Sequence, residues 1–257
     1  MDIKKLQFHY KHSGPIIRDL STSITAGKVT SIIGPNGSGK STLLSLLAKN
    51  MLPSAGQIVW NGRDLQQFTP KELARQLAVV HQQNEAPIDL TVEKLVEFGR
   101  LPYRHLFSSE SKEDHEAIAW ALDCTGLAPL RKNKLVELSG GQRQRAWIAM
   151  ALAQKTNLIF LDEPTTYLDI YYQIELLELV RSLNEKLGLT IVMVLHDVNQ
   201  AIRYSDEVKV MKQGQIMAEG DPKEVITSEL MQHVYDVRAV IREDEEAGLY
   251  IVPLASL

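Results

Sequence analysis

The stretch GPNGSGKST, residues 34–42, constrains this chain more than any other. It matches G-x-x-x-x-G-K-[ST], follows a strand-like VTSII at 29–33, and opens a helical stretch at 41–49. Glycines let a backbone wrap a polyphosphate with successive N–H groups facing inward, and a helix start adds its positive end. The candidate phosphate-binding residues are therefore Gly34, Pro35, Asn36, Gly37, Ser38, Gly39, Lys40, Ser41 and Thr42. Lys40 is placed to reach the β- and γ-phosphates, and the Ser41 hydroxyl to ligate Mg²⁺.

Around this loop the pattern alternates between strand and helix. Segments 6–10 and 20–24 read as a small antiparallel sheet, 57–60 as a strand entering a hairpin at Asn61-Gly62, and 77–80 as another strand. From 91 to about 134 the apolar spacing becomes helical. Strand 158–161, helix 174–187 and strand 189–195 follow, then a hairpin of 208–211 with 215–218 and one short tail helix at 228–235. This order predicts an α/β core with a parallel sheet.

Bulk composition narrows the class. A chain of 257 residues with 44% hydrophobic and 23% charged residues accommodates one large domain or one domain with a sizeable insert, and a net charge of -4 gives no support for a nucleic-acid partner. The single cysteine, Cys124, excludes an intrachain disulfide and fits a reducing compartment as a small buried hydrophobe. The N-terminus shows no secretion signal, and no stretch approaches the ~18 apolar residues of a spanning helix. Any membrane spans would come from partner subunits.

Two further strands end in chemistry. LIFLDEP, 158–164, delivers Asp162 and Glu163 to a strand's C-terminal edge, where open α/β sheets bind ligands. Asp162 suits Mg²⁺ ligation, and Glu163 can polarise an attacking water; the bland alternative is a solvated acidic turn. Strand 189–195 runs into His196. Alone, that histidine reads as structural; beside the other two strand ends it reads as a γ-phosphate sensor. LSGGQRQR, 138–145, puts Ser139, Gly140, Gly141 and Gln142 before an apolar helix, a second anion site. One triphosphate does not need two such loops in one subunit. A head-to-tail dimer, each signature loop covering the other copy's nucleotide, is the economical arrangement.

With these motifs in order, the chain resembles the ATP-binding cassette (ABC) family over nearly its whole length. The resemblance implies a P-loop NTPase (RecA-like) α/β core with an N-terminal antiparallel β subdomain and an α-helical signature subdomain. The expected division is one domain, 1–257, with a core of about 1–90 and 155–220, a helical part of about 91–154 and an extension of about 221–257. It further implies ATP and Mg²⁺ as cofactors, Tyr10 stacking on adenine, Gln82 as a Mg²⁺ ligand and hinge, Asp169 at the dimer seam and His196 as the switch. Two departures stand out. VVHQQ carries His81 where relatives more often have proline, and Gln83 beside Gln82 leaves the ligand open by one position. Tyr167 replaces a commoner small residue, and with YLDIYYQIELLELV it resembles the subfamily importing ferric siderophores, haem or cobalamin.

The expected machine is a transport ATPase, peripheral on the cytoplasmic face of the membrane, joining two permease subunits and indirectly an extracytoplasmic binding protein. The helical part would meet the permease. Arg100 and Arg104 either meet that partner or are solvated, and the charges from Glu110 to Glu116 mostly read as a solvated face. Among the rivals, a soluble DNA-repair ATPase needs a long coiled coil before the signature, and only 56 residues separate Gln82 from Ser139. Translation factors usually carry two cassettes, a regulatory module would not need Glu163 and His196, and an exporter is opposed only by the subfamily resemblance. After Gly220 only 37 residues remain, too few for an added regulatory β-domain.

Overall fold

Ile3, Leu6 and Phe8 are buried while Lys4, Lys5 and Gln7 face water, and this patterning makes Asp2–His9 a half-buried strand, β1. It opens the computed structural model, which describes residues 1–11, 14–104 and 111–257. β2 (Pro15–Ser23) pairs with β1 antiparallel. β3 (Val29–Ile33) is buried at every residue, the mark of a strand covered on both faces. The glycine loop leads into α1 (Lys40–Leu47), which ends sooner than its apolar pattern suggests because Lys49 turns left-handed, φ 59°. β4 (Ala55–Trp60) pairs with β1; Asn61 and Gly62, φ 50° and 77°, turn the chain into β5 (Arg63–Asp64) as a type I′ hairpin requires. The sheet order β2-β1-β4-β5 is the antiparallel N-terminal layer expected.

Residues Phe68–Leu189 cluster as a unit of their own. Thr69 and Glu72 form a capping box that starts α2 (Pro70–Leu73), followed by β6 (Leu77–Val80). α3 (Val92–Phe98), α4 (Lys112–Cys124) and α5 (Gly140–Ala153) make the helical stretch, packed on Leu95, Val96, Ile118, Leu122 and Ile148. β7 (Leu158–Asp162) runs parallel to β6, and α6 (Ile170–Leu187) closes the unit. Arg100 is not a solvated surface charge. It is buried, its Nε donating to Asp114 Oδ1 at 2.7 Å and its Nη1 to Ala153 O at 2.9 Å. Arg104 is half-buried, Asp114 departs from the solvated run of charges, and Glu110 lies outside the described residues. Cys124 is only half-buried; that burial pushes its thiol up.

The other unit, Met1–Gln67, is completed by Thr190–Leu257. It adds β8 (Thr190–Val194), α7 (Val198–Tyr204), β9 (Glu207–Lys212) and β10 (Gln215–Gly220). β8 and β9 flank β3, both parallel to it, and β10 pairs antiparallel on β9. α8 (Pro222–Val225) and α9 (Ser228–Tyr235) follow. The tail does not stop at that helix: β11 (Val237–Asp244) and β12 (Gly248–Ser256) form a hairpin. Its strands are mostly exposed and one contains Pro253, so no buried alternation marks them. Among the described residues no helix is long and apolar enough to cross a membrane.

Candidate functional site

In the first unit, β3 delivers the phosphate loop. Gly34 has φ 148°, and a Cβ there would lie 2.1 Å from the Met211 carbonyl oxygen, so β9 leaves no room for a side chain. Lys40 is 5% exposed, and its ammonium turns back over the loop to donate to Gly34 O at 2.9 Å and Pro35 O at 3.1 Å. The Ser38 hydroxyl is buried and finds no hydrogen-bond partner among the described residues. α1 starts after Gly39 with no side-chain cap, so no side-chain oxygen competes with an anion at this helix start. A spare buried hydroxyl, an enclosed ammonium and a helix start without a side-chain cap fit a nucleotide phosphate. Tyr10 lies just past β1, its hydroxyl 3.4 Å from Thr42 Oγ1 and its ring edge-on to Phe8 at 4.9 Å.

His196 leaves the same edge of this sheet. β3 and β8 are parallel neighbours, and Leu195 N donates to Ile32 O at 3.2 Å, which brings the chain to His196 beside the end of β3. The next residue, Asp197, caps α7, accepting from Asn199 N at 2.7 Å and Gln200 N at 3.1 Å. Sequence reasoning passed over Tyr235 at the end of α9. Burial pushes its phenol well above the ordinary tyrosine range, partly offset by the Gly34 backbone amide beside it. Nothing in the local pattern signals a contact between residues so far apart in sequence.

In the second unit, the parallel register of β6 and β7, Val80 opposite Leu161, sends residues 82 and 162–163 out at one end. Glu163 is left-handed, φ 49°, a strained conformation for a glutamate that turns its side chain off the strand line. Gln82 Nε2 donates to Glu163 Oε2, and Thr166 Oγ1 donates to the same oxygen at 3.2 Å. Gln82 is thus brought to the carboxylate. Asp162 sits half-buried at the strand's end, and a carboxylate is the oxygen donor that suits Mg²⁺.

Ser139 is the N-cap of α5. Its hydroxyl accepts from Gln142 N at 3.2 Å while Gln142 Oε1 accepts from Ser139 N at 3.0 Å, so these two pair with each other. Gly140 and Gly141 open the helix between them. Asp169 likewise caps α6, accepting from Tyr172 N at 3.1 Å. A cleft of about 560 Å³, unsuspected from the sequence, lies within this unit and is lined by Gln82, Pro87, Gly140, Arg143, Trp147 and Tyr167 among others.

Comparison with known proteins shows the family. The ABC transporter family model matches residues 17–166. The petrobactin import ATP-binding protein FpuC of Bacillus anthracis is 47% identical over 94% of this chain and 89% of its own length. The ferric enterobactin transport ATP-binding protein FepC of Escherichia coli is 46% identical over 93% of this chain and 89% of its own. A solved metal-chelate type ABC transporter in an inward-facing conformation superposes with a TM-score of 0.86 at 28% identity, covering 99% of this chain and 96% of that one. With its phosphate loop, its strand-end carboxylates and its serine-capped glycine helix accounted for, the chain belongs to the ABC transporter family.

Proposed function

We propose that this chain is the ATP-hydrolysing subunit of a membrane importer whose cargo is a ferric siderophore or a related metal chelate such as haem or cobalamin. The similarity to petrobactin and ferric enterobactin import proteins supports the cargo class. In this reading Tyr10 stacks on adenine, while the loop amides and Lys40 hold the phosphates. Ser41, Gln82 and Asp162 would hold Mg²⁺, which when bound neutralises charge on the β- and γ-phosphates. Glu163 orients and polarises the water, and His196 donates a hydrogen bond to the γ-phosphate. Ser139, Gly140 and Gly141 of a sister copy complete each site, with Asp169 at the seam. Such a dimer works at the cytoplasmic face of the membrane beneath two permease subunits, fed by an extracytoplasmic binding protein.

The observation that carries the hydrolytic assignment is the held carboxylate of Glu163, which accepts from both Gln82 and Thr166. Glu163→Gln keeps shape and hydrogen bonding but removes the base, so ATP binding should persist while turnover falls by roughly 10²–10⁴. Undiminished hydrolysis in that variant would overturn the assignment. For the cargo, the chain is reconstituted with its permease, and ATP-dependent uptake of ferric siderophore, haem and cobalamin is compared.

A further inference from the structure

The C-terminal hairpin is joined to the segment that carries His196 by one side chain. Asn199, in the first turn of α7, donates from Nδ2 to Ile251 O at 3.2 Å and accepts at Oδ1 from Ile251 N at 2.8 Å. An asparagine amide presents one donor edge and one acceptor edge, as a peptide group does. Asn199 therefore occupies the place a neighbouring strand residue would take on β12. Ile251 itself is 6% exposed, and across the hairpin it faces Ile241. The bracket is thus anchored on a buried residue of a mostly exposed hairpin.

The other end of the same short segment is fixed as well. Leu195 is tied to β3 through Ile32 O, and Asp197 caps α7 by taking the amides of Asn199 and Gln200. His196 lies between these anchors, so any rotation of α7 about its first turn re-aims the imidazole. The helix preceding the hairpin ends at Tyr235, so the hairpin follows directly on α9.

We propose that Asn199 is a positioning residue: by bracketing Ile251 it makes the Gly248–Ser256 strand the reference that sets the orientation of His196. This rests on the reading of His196 as the group that meets the terminal phosphate. The residue acts through the histidine and touches no nucleotide.

The test is a double-mutant cycle on the ATPase of the full chain assembled with its permease. Asn199→Ala is expected to lower kcat about tenfold, the scale of a misaimed catalytic group, while KM for ATP stays within about twofold. In a His196→Ala background the same substitution should cost nothing further, because the histidine it positions is gone. Ile251→Pro, which removes the 2.8 Å donor from the hairpin side, should reproduce the kcat loss with Asn199 intact. The proposal fails if Asn199→Ala leaves kcat unchanged, if its loss adds in full to that of His196→Ala, or if KM rises in step with the fall in kcat. Should His196→Ala alone retain full activity, the role given to the histidine fails instead, and the two failures are told apart.

Discussion

Gly141, the second residue of α5, shows how much one missing methyl group can decide. A Cβ there would lie 2.4 Å from Tyr172 Cδ1 and 2.7 Å from Cγ, so α5 starts flush against the first turn of α6. From the sequence the glycines of LSGGQ read as anion-binding backbone; the tight packing on Tyr172 is a second demand that no local pattern displays. Gly141→Ala must push the ring or the helix aside, and overpacking of this kind costs about 1–3 kcal/mol. Urea melts should show that loss, together with a fall in ATPase as the signature helix start shifts. Adding Tyr172→Ala should recover stability relative to Gly141→Ala alone, since it removes the two ring atoms nearest the methyl and leaves only Cβ, at 3.0 Å. If the double variant is no more stable than the single, the steric account is wrong.

At the scale of elements, α3, α4 and α5 are held by a polar knot. Asp114 belongs to the capping box of α4 and accepts from Arg100, which also binds the end of α5 through Ala153 O. Burial pushes the Asp114 carboxyl up, yet the hydrogen bonds from Arg100 and Ser111 outweigh it and hold the group below the ordinary aspartate value. The folded state therefore binds this proton less readily than the unfolded chain. The stabilisation is present above the unfolded value near pH 3.9 and is lost as pH falls through the folded one. Asp114→Ala leaves a buried guanidinium without its partner and should cost about 3–5 kcal/mol at pH 7. Asp114→Asn should flatten the fall in urea midpoint between about pH 5 and 3 relative to the parent. An unchanged acid slope would remove the carboxylate from the account. This knot also marks where the sequence stops being legible. The helices were visible in the 3.6-residue spacing of Leu95, Ile118 and Leu122, the strand that ends at Asp162 in its unbroken apolar run LIFL, and the strand VTSII in its running straight into the glycine loop. The Arg100–Asp114 pair was not, because a charged residue in a helical stretch reads as surface until its distant partner is known. The β11–β12 hairpin was missed for the opposite reason: its side chains are mostly exposed, and the pattern of burial that betrays a strand is absent.

For the whole molecule, the decisive question is whether one chain can hold a complete site. Ser139 and Gln142 satisfy each other in the capping box, which fixes the start of α5 while leaving the glycine amides between them to an outside anion. If that anion is the nucleotide of a sister copy, defects in the two halves of the site must complement. In a heterodimer of Ser139→Ala and Glu163→Gln chains, one site combines both defects and the other combines neither. Random mixing in equal amounts makes about half the dimers mixed, so on the order of a quarter of wild-type activity should appear from two nearly inactive parents. The rate per chain should also rise with chain concentration at low concentration, where dimers dissociate. A site contained within one chain predicts neither effect: the mixture would stay at the average of its parents, and dilution would leave the specific rate constant.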